Sequence, residues 1–380
     1  YRANVSSQLE GLSSELPAPY TKSADQVWPL TAVIQGDNIS NLITANINNN
    51  LYFNGILANN VGKLTNAQFI LGEHDLGLNQ QDLSVAIDLE QTDLLPWLGL
   101  IQQIITISQI ESAEQSVLPP LKEVVGNIQQ LTIGDIAFND FEMRLAPTSS
   151  DMSLRLNAKE LRSQVLIPLD KSSRPIHIAS DYLRVNFTPT TDELQPSETS
   201  QDYTWLSDIP AIEFECTDCK VASYQLDKVS ASLYGDGHKL TISELVVDKG
   251  EHVLRAKGHW QDGISQFSGN MQSDDIGELF DEFDITTTVK DSPADIKFTL
   301  AWQDAPYLFD IASLNGNLDW RLGEGHLAEV SDGGARVFSL LSLDSLVRKL
   351  KLDFRDVFSK GFFYNSMHIN NIIFRIMSIF

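Results

Sequence analysis

Cys216 and Cys219 are the only thiols in the chain, and their C-x-x-C spacing is the arrangement nearest to redox or metal chemistry. In a redox enzyme such a pair sits where a strand feeds a helix, whose N-terminus lowers the thiol pKa. Here AIEFE precedes the pair and KVASYQL follows it, so strand and irregular chain flank it and no helix is expected. A structural zinc needs four ligands, and the nearest histidine, His238, is 19 positions on. Residues i and i+3 of an extended strand lie about 10 Å apart, so a disulfide requires a turn at Thr217-Asp218. A turn-stapling disulfide is the expected state, with free thiols as the alternative.

Other chemistry is sparse. Asp274, Asp275, Glu278, Asp281, Glu282 and Asp284 make an acidic run without the D-x-D-x-D-G spacing of a calcium loop. Ile276, Leu279, Phe280 and Phe283 interleave with it at helical intervals, which predicts a solvated helix face rather than a metal site. His252 and His259 are expected on polar strand faces, exposed. The sequence contains no G-x-S-x-G, H-E-x-x-H, Walker loop or helix-opening G-x-G-x-x-G. The reading is a protein that is not an enzyme and takes no cofactor and no metal.

With 380 residues and a net charge of −24, the chain can bury one large core or two to three ordinary ones. Its 27 Lys and Arg are spread along the sequence, which argues against nucleic acid and against unaided adsorption to an anionic bilayer. The longest apolar run, 94–110, carries Pro96, Gln102 and Gln103 and is too short and polar to span a membrane. Because the chain starts at Tyr1, it is expected to be a fragment or a processed form.

Period-two alternation dominates. Leu254-Ala256-Gly258-Trp260, Ile296-Phe298-Leu300-Trp302 and Leu314-Gly316-Leu318-Trp320-Leu322 each place one face in grease and the other in water. The turn signals GDG (235–237), DKG (248–250) and QDG (261–263) predict hairpins and meanders. Helical spacing interrupts this over 94–105, after Pro119-Pro120 (Leu121, Val124, Val125, Ile128), and over 335–350. The expected layout is β segments at 1–92, 129–187 and 203–332, a helical insertion at 93–128 and a polar loop or linker at 188–202. A helical cap follows at 333–360, and an atypical tail at 361–380.

The tail GEGHLAEVSDGGARVFSLLSLDSLVRKLKLDFRDVFSKG (323–361) closely resembles the C-terminal region of the YhdP branch of the AsmA-like proteins of Gram-negative bacteria. Leu16-Pro17-Ala18-Pro19-Tyr20-Thr21-Lys22 with Trp28-Pro29-Leu30, LTIGDIAFNDFEMRLAP (131–147), GHW (258–260) and LAW (300–302) fall in that family's order, over residues 9–366. After Gly361 the run FFYNSMHINNIIFRIMSIF departs from the family's polar continuation and reads as a truncated end. The resemblance implies a mainly β fold: a long, strongly twisted antiparallel sheet curled into an apolar groove of the AsmA and TamB kind, with a few amphipathic helices. It further implies a non-enzymatic conduit for phospholipid in the periplasm. The full-length protein would be anchored in the inner membrane by an N-terminal helix missing here, and would meet the outer membrane or an outer-membrane protein at its C-terminal end.

On that reading the acyl-facing stripe comprises Leu254, Ala256, Trp260, Phe298, Leu300, Trp302, Leu314, Leu318, Trp320 and Leu322. Small residues (Ala256, Gly258, Gly316) are expected to leave room along it. Val337, Leu340, Leu341, Val347 and Leu350 would form the capping helix. The competing reading is a structural or assembly factor of the outer envelope in which the same face is a closed core.

Overall fold

The computed structural model describes residues 1–72, 82–97, 116–133, 136–169, 174–186, 204–282, 289–307 and 313–327. They belong to two compact units, Tyr1–Lys171 and Ser172–Phe380. The expected linker, the capping helix and the atypical tail all lie outside the described residues.

The first unit contains β1 (Arg2–Ser7), β2 (Ser14–Glu15), β3 (Thr21–Lys22), β4 (Leu30–Gly36), β5 (Ser40–Ile47) and β6 (Leu51–Ala58). β7 (Lys63–Gly72), β8 (Asp82–Asp93), β9 (Leu121–Ile133), β10 (Ile136–Pro147), β11 (Asp151–Asn157) and β12 (Leu161–Pro168) follow. Ten of them pair in the order β1-β4-β5-β6-β7-β8-β9-β10-β11-β12. Only β7–β8 and β8–β9 are parallel among these. β2 and β3 make a small separate hairpin whose loop carries Tyr20, 1% exposed, edge-on to Trp97 at 6.1 Å.

The second unit contains β13 (Ile176–Val185), β14 (Ile212–Val221), β15 (Tyr224–Gly235), β16 (Leu240–Asp248) and β17 (His252–Gln261). After them come β18 (Ile264–Ser273), α1 (Ile276–Glu282), β19 (Val289–Lys290), β20 (Ala294–Gln303), β21 (Asn315–Leu322) and β22 (His326–Leu327). Eight of these strands pair as β13-β14-β15-β16-β17-β18-β20-β21, antiparallel except for β13–β14. The DKG and QDG signals do turn the chain on either side of β17: Gly250 and Gly263 hold φ of 79° and 77°, which glycine adopts without a steric cost.

The fold is thus mainly β, a long and largely antiparallel sheet with few short helices. Sheets of many strands twist by roughly 20° per strand. No helix among the described residues is long and apolar enough to cross a membrane.

Two expectations need correction. The stretch after Pro119-Pro120 is β9, not a helix. It is paired on both sides, parallel to β8 and antiparallel to β10, and the adjacent, half-buried Val124 and Val125 put apolar side chains on both of its faces, so clean alternation is lost. Its apolar residues fall at helical spacing by chance. The helical reading from 94 holds only as far as the described chain runs, over 95–97. The second correction is His252, which is 6% exposed and bonded through Nδ1 to Ser273 Oγ at 2.9 Å. It lies in phase with Leu254, on the apolar face, and the hydroxyl opposite makes its burial tolerable.

Candidate functional site

Residues directly opposed across paired strands share a face. In the second unit the register aligns Ile178, Phe214, Ala231, Leu245, Ala256, Gly269, Phe298 and Leu318, one residue from each of eight strands. Every member is half-buried. One position along, on the other face, the register aligns Arg255, Asn270, Lys297 and Asp319. Amphipathic strands have been stacked into an amphipathic sheet.

The ten stripe residues all fall on the apolar face. Ala256, Phe298 and Leu318 belong to the central ladder. Leu254 and Trp320 lie in the ladder on one side of it, linked through Met271 and Ile296. Leu300 lies in the ladder on the other side, with Gly258, Phe267 and Gly316, and beyond it Trp260 and Trp302 flank Ser265. Leu322 opposes Ala294, and Leu314 precedes β21 in phase with Gly316.

Their exposures differ, and the difference defines the site. At one end, α1 drives Ile276, Leu279 and Phe280 onto Ala294, Ile296 and Trp320. At the other, the 3₁₀ turn Thr204–Asp208 and the bend at Ala305 press Leu206 and Ala305 onto Leu240, Ile242 and Trp260. Trp260, Trp302 and Trp320 are 5%, 6% and 8% exposed, so the tryptophans are walls rather than open floor. The half-buried floor between them carries Leu254, Ala256, Phe298, Leu300 and Leu318. Nor does Gly258 leave a gap. A β-carbon on Gly258 would come 2.6 Å from Phe267 Cδ1, because the neighbouring ring already lies in that space.

α1 is fixed at both ends. Asp275 accepts from Gly277 N at 2.8 Å and Asp291 N at 3.2 Å. Burial alone would raise its pKa, but these and further backbone N–H groups outweigh it and hold the carboxyl below its ordinary range. Lys249 Nζ reaches Glu282 at 3.2 Å, and Lys290 pairs with Asp281. Asp275 of the acidic run therefore caps the helix, and Glu278, Asp281 and Glu282 form its exposed side, while Asp284 lies outside the described residues.

Cys216 and Cys219 are joined in a disulfide with Cα atoms 5.9 Å apart. The chain tightens at Thr217-Asp218, well below the roughly 10 Å of an extended strand, without leaving β14. The strand runs on through a bulge in which Cys216 opposes Val229 and Cys219 opposes Asp227, three steps on β14 against two on β15.

The stripe as read from sequence stops at β17, and the structure extends it. Phe214 and Leu245 line the same floor, but bulges at 216/219 and 242/245 shift the phase of β14 and β16, so counting in twos loses the face. The first unit has a ladder of its own: Val5, Ala32, Ala45, Phe53, Phe69, Val85, Val124, Leu145, Leu154 and Val165. All but exposed Val5 and buried Val165 are half-buried. The alternation of Leu83, Val85 and Ile87 is the sequence signal that points to it.

A family model described as YhdP protein matches residues 1–375. The chain is 24% identical over 379 residues to the intermembrane phospholipid transporter YhdP of Escherichia coli (strain K12), a match covering 97% of this chain and 29% of that protein. The chain thus spans less than a third of the length of that curated relative. No solved structure matches it. An amphipathic sheet with an apolar ladder through each unit, and a family match along nearly the whole sequence, lead to one conclusion: the chain belongs to the YhdP family.

Proposed function

We propose that the chain is a lipid-binding stretch of a longer periplasmic conduit that carries phospholipid between the inner and outer membranes without catalysis. The observation behind this reading is the transverse apolar ladder. A sandwich core would bury such a row completely, yet the eight members in the second unit are all half-buried. The name of the similar transporter, intermembrane and phospholipid-carrying, supports the same cargo.

The physical benefit is large. Drawing a two-chain phospholipid into water exposes roughly 30 methylenes at about 0.8 kcal/mol each, on the order of 20 kcal/mol. A floor that covers the chains while the headgroup stays wet removes most of that barrier and needs no nucleophile, base or metal. Eight strands at about 4.8 Å spacing give a floor roughly 34 Å long across the strands, about twice the hydrocarbon depth of one leaflet. Leu254, Ala256, Phe298, Leu300 and Leu318 contact the chains, with Leu314 and Leu322 at the margins. In the full-length protein an inner-membrane anchor and an outer-membrane contact at the C-terminal end belong to the same reading. The buried tryptophan clusters favour the alternative, an envelope assembly factor with a closed core and no lipid transfer.

Native mass spectrometry with lipid extraction, on the chain expressed in the periplasm, tests this. Co-purifying phospholipid that is lost in folded Leu318→Asp and Leu300→Asp variants is the expected result. A folded, lipid-free wild type would overturn it in favour of the assembly factor.

A further inference from the structure

Trp260 and Trp320 stand on opposite walls of the apolar floor, 5% and 8% exposed, and the indole N–H of each is buried with no hydrogen-bond partner among the described residues. The third wall tryptophan differs: Trp302 Nε1 donates to Ala305 O at 3.3 Å. Buried donors are almost always paired, so two orphans of one residue type on one surface call for an explanation. Tryptophan is enriched at membrane interfaces because its ring is apolar and its N–H seeks an acceptor at headgroup level. Both orphans lie at the ends of the apolar floor, each inside a hydrophobic cluster. Among the described residues, α1 covers Trp320, and the Thr204–Asp208 turn together with Ala305 covers Trp260.

We propose that Trp260 and Trp320 are lipid-binding residues whose indole N–H groups donate to the ester carbonyls of a glycerophospholipid lying in the floor, once the covering element moves aside. This rests on the phospholipid reading above and adds which part of the lipid is recognised. The two indoles are three strands apart, about 14 Å, and six residues apart along the strands, about 20 Å. They are therefore separate stations and not two arms of one clamp. Trp302, already paired, takes no part.

The test loads the full 380-residue chain from vesicles of diester phosphatidylethanolamine, or of its dialkyl-ether analogue with the same chains and headgroup. The ether lipid fills the floor equally but lacks the carbonyl acceptors. Wild type is expected to take up the diester about fivefold better, the worth of one hydrogen bond. The Trp260→Phe/Trp320→Phe variant keeps an aromatic ring at each position but no N–H, and should lose that preference. A second readout needs no variant: among the six indole N–H resonances, two should shift downfield with diester and stay in place with diether. Equal uptake of the two lipids by wild type, or a preference that survives in the double variant, would overturn the assignment and leave the phospholipid reading standing. Uptake of neither lipid would sink both.

Discussion

The ring of Phe298 lies across Gly269 on the neighbouring strand, so that a β-carbon at Gly269 would come 2.8 Å from Phe298 Cζ. The same position would meet Arg255 O at 2.2 Å, so glycine is required both by the ring and by close approach of the backbones. Gly258 and Phe267 repeat the arrangement. Two large side chains are thereby laid flat and the floor is levelled. Gly269→Ala should cost about 2 kcal/mol by overpacking and lower Tm by roughly 4–8 °C. A thermal melt by circular dichroism would show it, and an unchanged Tm would mean that the ring is not seated there.

The Cys216–Cys219 disulfide closes a very short loop, with a sequence separation of 3. Loop-closure entropy then assigns it only about 2 kcal/mol. Replacing both cysteines with serine should lower the urea midpoint modestly and leave the fold cooperative. Complete unfolding of the variant would show that the bond holds the bulge, and not merely the unfolded chain, in place.

Tyr20 has its pKa pushed up to about 12 by burial, from an ordinary 10.0. Its hydroxyl donates to Asn50 O at 3.3 Å. The buried form is the protonated one, so its contribution is complete below about pH 10 and is lost as pH rises toward 12. Alkaline titration should show phenolate absorbance appearing together with loss of structure in the first unit, and Tyr20→Phe should shift that transition to higher pH. Ionisation of all tyrosines near pH 10 with no late step would refute this.

Asp275→Ala removes the cap of α1 and should cost about 1 kcal/mol, read as faster hydrogen exchange at the amides of 276–282. The carboxyl pKa is depressed, so the cap is complete above the ordinary carboxylate value of 3.8 and is lost as pH falls through the lower folded value. Exchange in α1 that ignores both the mutation and acid would show that the helix is held by its apolar contacts alone.

The faces of β17, β20 and β21 are legible in the sequence, because alternation with period two is a local consequence of strand geometry. Leu254 to Trp260, Ile296 to Trp302 and Leu314 to Leu322 are assignable to a face from their spacing alone. The turns at Gly250 and Gly263 are local in the same sense. The identity of β9 is not, because its adjacent Val124 and Val125 put apolar side chains on both faces and break the alternation. The bulges in β14 and β16 are also hidden, since one inserted residue inverts the phase and leaves no compositional mark. His252 misleads for a related reason: its type suggests water, and the opposed Ser273, which bonds its ring, is what permits burial.

By itself, then, the sequence determined an amphipathic β chain, its family and the side of each regular strand that turns from water. The tertiary structure decided which apolar residues are walls and which are floor. Trp260, Trp320, Leu300 and Phe298 look alike in the alternation, and only contacts with α1 and the Thr204–Asp208 turn close the ends and leave the middle half-open. Burial depends on what lies across the face, and no strand encodes that alone.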